Sequence, residues 1–180
     1  MRVLDVGGTV AYWKMAAQRP RRLDVVNSDI GESSDVGWAA VHHVDACALP
    51  AELRNSGFDL VYSNSLIEHV GGVERRRAVA EQVHAAAPHH WVQTPYRYFP
   101  VEPHWVFPGF QFLPVAARAA VARRWSLAHE FERTRSPEEV VDWVLSVELL
   151  GRTELQHLFP TSRIVAERFL GLPKSLVAIA

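Results

Sequence analysis

Cysteine is nearly missing from the sequence: Cys47 stands alone among 180 residues. One thiol cannot form an intramolecular disulfide, so a hydrophobic core has to hold the fold, and the cytoplasm is the expected compartment. Long apolar runs are missing as well. None approaches the roughly 18–20 residues that a membrane-crossing helix needs. The first residues read as a strand rather than a basic stretch ahead of an apolar one, so no secretory leader is expected. Neither sign of charge prevails, with 19 Lys and Arg against 20 Asp and Glu and a formal net charge of -1. That balance offers no broad electrostatic attraction, and nucleic acid is not an expected partner. No Gly-Lys-Ser/Thr sequence is present, which excludes the usual phosphate-cradling loop. No internal repeat, linker or low-complexity tract breaks the chain.

What is present suits one globular domain over residues 1–180. Apolar residues make up 48% of the chain and charged residues 22%, enough for a full core in a single domain. Short β-branched or aromatic runs predict strands at 2–6, 23–28, 40–46, 59–64, 90–94, 163–169 and 175–180. Helical stretches lie between several of them. Residues 73–87 place Val79, Val83 and Ala86 at helical intervals without an internal Gly or Pro. Residues 136–150 open on Ser136 as N-cap, Pro137 in the first turn and Glu139 closing a capping box, and Thr153 with Gln156 suggests the same device at 153–159. Strands alternating with helices imply a mostly parallel sheet covered on both faces. One segment departs from this rhythm. "PYRYFPVEPHWVFPGFQFLP" (95–114) holds five prolines, which prevent a regular central strand or helix. It reads as an ordered, aromatic-rich excursion across the ligand-binding edge of the sheet.

The chemistry-bearing residues fall at predicted strand ends. "VLDVGGT" (3–9) runs a strand into Gly7 and Gly8, where the chain turns tightly and its backbone approaches a ligand closely. Asp29 follows the second strand, 22 positions after Gly7, near the interval at which an acid meets ribose hydroxyls in dinucleotide sites. Asn27 is the alternative there. The third strand leads to Asp45, which could accept a hydrogen bond from an adenine amino group. A glycine turn and two acids on three successive strand ends fit an adenosine. The glycine spacing does not match the nicotinamide fingerprint.

"VLDVGGT", "VDACALP" and "FDLVYSNSLIEHV" resemble the first motifs of class I S-adenosylmethionine-dependent methyltransferases of the type-11 group. "WVQTPYRYFPVEPHWVFPGFQFLP" and "ERFLGLPKSLVA" are similar to an uncharacterised bacterial branch of it. The resemblance implies a Rossmann-like α/β sheet of about seven strands, the last antiparallel, with helices on both faces. It implies S-adenosylmethionine as cofactor and transfer of a methyl group to a small-molecule acceptor. Cofactor roles carry over to Asp5, Gly7 and Gly8 near the methionine part, Asp29 on the ribose, Asp45 and Ala46 beside the adenine, and Ser63 and Asn64 on the methyl-transfer side. Two departures stand out. The glycine pattern is shorter than the family's, and the sequence starts at the first strand, so the family's N-terminal helix is expected to be lacking and self-association is expected to cover the exposed surface. A non-catalytic domain of the same fold is the rival reading.

Methyl transfer to oxygen or nitrogen needs alignment, exclusion of water and often a base. His69 in "IEHV" is the first candidate base, and the alternative role for this Glu-His pair is to fix the loop. His104 in "VEPHW", with Glu102 two residues away to orient it, is the second. Tyr96, Arg97 and Tyr98 are candidate acceptor contacts, or else a packed lid. No metal is expected: His42-His43 and His89-His90 are neighbours on strands and point to opposite faces. Cys47 reads as a packing residue, and "ERRR" (74–77) and "ARR" (122–124) as solvated helix faces.

Overall fold

A computed structural model describes residues 1–29, 34–35, 37–129, 131–132 and 134–180, the Ser34 side chain excepted. The first element is β1 (Arg2–Val6), followed by α1 (Val10–Met15), β2 (Arg22–Val26), β3 (Ser34–Asp35) and β4 (Ala39–His42). Then come α2 (Ala51–Arg54), β5 (Leu60–Asn64), α3 (Val73–Ala86) and β6 (His89–Pro95). The excursion contributes β7 (Val101–Glu102) and β8 (Phe107–Pro108), and the chain closes with α4 (Val115–Ala122), α5 (Pro137–Leu145), α6 (Arg152–Leu158), β9 (Arg163–Phe169) and β10 (Leu172–Ile179).

The main sheet runs β3-β4-β2-β1-β5-β6-β10-β9. Without the two-residue edge strand β3 it is the seven-stranded mixed sheet that the sequence predicts. β4, β2, β1, β5 and β6 are parallel, and β10 lies antiparallel to both β6 and β9. From β1 the chain builds outward through β2 and β4 on one side and through β5 and β6 on the other. The carboxyl ends of β1 and β5 therefore flank the point where strand order reverses, the place for a ligand in such sheets.

Alternation along the strands decides what each face buries. Leu4 and Val6 of β1 join Val79 and Val83 of α3 and Leu155 of α6 in one core cluster. Val3, Leu23 and Val25 face the other way, onto Trp13 of the short helix α1. The two faces are thus covered unequally. A third cluster lies off the sheet, where Trp105 and Phe110 of the excursion pack on Ala122 of α4 and on Val140 and Val144 of α5.

Local signals explain most boundaries. Ser136 and Glu139 form the expected capping box at α5, with proline in the first turn. The helix stops at Leu145, short of the predicted 150. At α6 the cap falls two residues before the expected one: Gly151 is the N-cap, and its N–H donates to Glu154 Oε2 at 2.7 Å rather than Thr153 pairing with Gln156. α1, α2 and α4 are helices without an assigned signal in the sequence. Among the described residues no helix is long and apolar enough to cross a membrane.

Candidate active site

A cleft of about 680 Å³ opens at the carboxyl ends of the parallel strands, within the usual range of small-molecule sites. Its first wall is the edge of the sheet. Gly7 turns at φ 87°, a conformation open to glycine, and a Cβ there would sit 2.8 Å from Leu66 Cβ. The Gly7 N–H donates to the Val26 carbonyl at 2.8 Å, which locks the turn to the end of β2. Gly8 is required for a different reason: a Cβ would fall 1.8 Å from Asp5 Oδ2. Asn27 ties the two loops together, its Nδ2 donating to the Gly8 carbonyl at 3.0 Å and its Oδ1 accepting from the Asp29 N–H at 2.9 Å. Asn27 is therefore a strut, and the exposed Asp29 carboxylate stands beside it on the cleft.

Asp45 lines the next strand end. Arg75 of α3 reaches both of its oxygens at 3.0 Å, and the Cys47 N–H donates to Oδ1 at 2.9 Å. The Cys47 N–H and the Arg75 guanidinium hold the Asp45 carboxyl below its ordinary range. Those contacts fill three of about four acceptor directions. Val44, Ala46, Leu66 and Val70 supply apolar lining around Asp45. Arg75 thus borders the cleft and Arg76 is buried against Glu148, which corrects the expectation that 74–77 is merely a solvated face.

The second wall is the excursion with α5. Ser65, at φ 56°, turns the chain off β5 into the loop carrying Glu68 and His69. His69 Nε2 lies 3.1 Å from His104 Nε2, and the rings meet edge to face with centroids 4.8 Å apart. Glu102, buried at the end of β7, accepts from His104 Nδ1 at 2.7 Å and from the Trp105 N–H at 2.7 Å. An ionised carboxylate only accepts, so His104 carries a proton on Nδ1, and its Nε2 faces His69 Nε2. Glu68 is fully buried, with Oε2 accepting from the Thr94 hydroxyl at 2.9 Å. Desolvation pushes its pKa up to about 7.

The cleft brings together Gly7, Asp29, Asp45, Ala46, His69 and His104, residues spread over almost 100 positions of sequence. Other expected residues lie elsewhere. Asp5 is buried behind the turn, where Oδ2 accepts from Trp13 Nε1 at 2.7 Å, and burial raises its pKa to about 7. It supports the turn rather than facing a ligand, because β1 alternation directs it to the opposite face. Ser63 is buried too, donating to the Val6 carbonyl at 2.9 Å, whereas Asn64 is exposed and it is Ser65 that lines the cleft. Tyr96 packs on the sheet core, Tyr98 stacks on Phe112, and Arg97 binds the Leu149 carbonyl and Glu154 beside a separate cavity of about 160 Å³. These three residues follow β6 directly and secure its end to α6. They are packing and bracing groups, which corrects their assignment as acceptor contacts.

The adjacent histidine pairs separate as expected, with His42 on Asp24 and His90 on Ser162. The histidine pair at the cleft joins residues 35 apart in sequence, and His84 meets His90 edge to face at 5.2 Å near the amino end of β6. Arg75 and Trp143 line the cleft without a local sequence signal for that place, and Glu68, the acid of the Glu-His pair, is fully buried.

No protein-family model and no curated protein matches the sequence. Solved structures do match in shape. A S-adenosylmethionine dependent methyltransferase from Mesorhizobium loti is 15% identical, with 99% of this chain and 89% of that one covered at a TM-score of 0.57. DhpI in its SAH complex is 12% identical, with 99% and 74% covered at a TM-score of 0.56. A Rhodobacter sphaeroides protein named among Zn-dependent alcohol dehydrogenases is also 12% identical, with 99% and 82% covered at 0.57. The chain has the class I methyltransferase fold. Identity this low carries the architecture, and one fold hosts several chemistries.

Proposed function

We propose that this protein binds S-adenosylmethionine in the cleft and transfers its methyl group to an oxygen or nitrogen of a small-molecule acceptor. The observation that carries the reading is the convergence, at one sheet edge, of the Gly7 turn, the Asp29 and Asp45 carboxylates and the His69–His104 pair. The residues fit the cofactor. Gly7 leaves room for close backbone approach to the methionine part, and the exposed Asp29 carboxylate can accept from both hydroxyls of a ribose. The apolar surface around Ala46 suits an adenine, with the Asp45 carboxylate beside it as an acceptor for its amino group. When bound, the cofactor supplies an electrophilic methyl on a positively charged sulfur.

The chain's own part is alignment, dryness and proton handling. Trp105 and Trp143 line the second wall and exclude water from the reacting groups. Glu102 holds Nδ1 of His104, which leaves Nε2, paired with His69 Nε2 at the cleft, as the nitrogen through which the two histidines take the acceptor's proton as the new bond forms. The excursion thus serves the acceptor side through His104, while Tyr96, Arg97 and Tyr98 brace it. A cofactor-binding domain without catalysis would keep the first wall and have no use for the oriented His104, which favours the enzyme.

Calorimetric titration with S-adenosylhomocysteine tests the reading. Binding is expected in the wild type, and Asp29→Ala should weaken it by roughly ten- to a hundredfold, the loss of charge-assisted hydrogen bonds of about 1.5–3 kcal/mol. An unchanged dissociation constant in a folded variant would remove Asp29 from the site.

A further inference from the structure

We propose that Glu68, His69 and His104 form a binding site for one divalent transition-metal ion at the acceptor end of the cleft. The inference deepens the methyltransferase reading and rests on it only for what the ion would do.

One ligand atom from each of the three residues lies within 4.8 Å of the others. Two imidazole nitrogens, each about 2.0–2.1 Å from a shared ion, stand roughly 2.9 Å apart at a right angle and roughly 3.3–3.4 Å apart in a tetrahedron. The observed separation of 3.1 Å lies between these values. A shared N–H···N proton would account for that distance alone, but not for the surroundings. Glu102 accepts from His104 Nδ1 at 2.7 Å, the carboxylate–histidine arrangement that aims Nε2 at a metal and raises its basicity. Glu68 is completely buried, and its Oε1 accepts no hydrogen bond among the described residues, while Thr94 holds Oε2. A buried carboxylate with one oxygen unsatisfied beside two imidazoles is a donor set that a cation would complete. Two histidines and one carboxylate form a mixed N/O set suited to Zn²⁺, Co²⁺, Mn²⁺ or Fe²⁺ rather than to Mg²⁺ or Ca²⁺.

Three protein ligands leave coordination positions open. His69 is exposed and His104 half-buried, so those positions face the cleft. An acceptor oxygen bound there would lose its proton more readily, as metal-bound water does. The favoured acceptor class is therefore a hydroxyl compound with a second oxygen close enough to chelate. With His104 Nε2 on the ion, that nitrogen no longer takes the proton: the oxygen–methyl bond forms, the sulfur–methyl bond breaks with its electron pair staying on sulfur, and the hydroxyl proton, made more acidic by the ion, leaves to solvent.

Cobalt(II) chloride is the probe, added to chelator-treated protein and followed by visible absorption and calorimetry. One equivalent should bind and give ligand-field bands. The bands should vanish in Glu68→Gln and His104→Ala, and Glu102→Gln should weaken binding by about 10- to 100-fold. Glu68→Gln keeps the shape of the buried side chain, and His69→Ala at an exposed position provides a second ligand deletion that leaves the core intact. Failure of the wild type to bind one equivalent, or equal binding by wild type, Glu68→Gln and His69→Ala, overturns the site. The same samples titrated with S-adenosylhomocysteine separate the two ideas. Homologue binding without cobalt binding sinks the metal site alone, and cobalt binding without homologue binding leaves the site standing and removes its proposed role.

Discussion

The two walls of the cleft are made by different physics. The sheet wall places its groups by backbone pairing: Gly7, Asp29 and Asp45 sit where they do because β1, β2 and β4 run in parallel register and end together. The excursion wall has almost no sheet to rely on. Its two-stranded ribbon is two residues long on each side. It is positioned by a small aromatic core, in which Trp105 stacks on Phe110 with centroids 4.4 Å apart and lies 4.1 Å from Trp143. Trp125 Nε1 donates to the Trp105 carbonyl at 2.8 Å. A small separate core can open separately, so the acceptor side has a route to local motion that the cofactor side lacks.

The largest expected effect tests that difference. Trp105→Ala removes the centre of the aromatic core and should cost about 3–5 kcal/mol. Amide exchange should show protection lost across 101–145 and retained in β1, β2, β5 and β6. Should the sheet amides lose protection together with the excursion, the two walls form one cooperative unit.

A smaller effect probes the sheet wall. Asp5 carries a pKa near 7 in the fold against 3.8 unfolded, because burial disfavours its charge. The folded state therefore binds more protons between these values, and stability falls as pH rises from about 4 to about 7. Asp5→Asn keeps an acceptor for Trp13 Nε1 and removes the group that titrates. The variant should be more stable than wild type at pH 8, by on the order of 2 kcal/mol, and nearly equal at pH 4. Urea melts at both pH values check this, and an unchanged slope would show that Asp5 is not the group losing its proton.

The same contrast explains what could be read in the sequence. On the sheet wall, strand runs and the glycine turn announce themselves locally, and the fold fixes where strand ends go. That made the strand-end places of Gly7, Asp29 and Asp45 on one cleft legible, and with them the seven strands, whereas the family resemblance supplied the antiparallel last strand. Asp5 and Ser63 were misread because strand alternation sends neighbours to opposite faces, and Asn64 because the cleft-facing turn comes one residue later, at Ser65. On the excursion wall no period exists to read. His104 could be picked out from the Glu102 beside it, but its meeting with His69 depends on tertiary packing between residues 35 apart. The Glu-His pair drew attention to Glu68 but not to its burial, and Arg75 was hidden for the same reason: nothing local tells a buried carboxylate from a solvated one, or an arginine bound to Asp45 from a free helix face.

The smallest expected effect marks where the excursion stops contributing to the site. Tyr98 is 60% exposed. Its ring stacks on Phe112 at 6.1 Å and meets Tyr96 edge-on at 5.4 Å. Tyr96 has packed on the sheet core, and Arg97 between them is committed to Leu149 and Glu154. None of the three lines the large cleft, whereas Pro103, His104 and Trp105 do. Truncating an exposed ring at the edge of such a brace removes little buried area and no paired polar group. Tyr98→Ala should stay within about 0.5 kcal/mol of wild type in a urea melt. It should also leave both S-adenosylhomocysteine affinity and cobalt binding unchanged, in contrast to changes at Asp29 and Glu68. A loss of activity toward an acceptor, with both of those affinities intact, would mean that the acceptor reaches beyond the cleft onto the 96–98 surface, and would extend the second wall to residues counted here as its support.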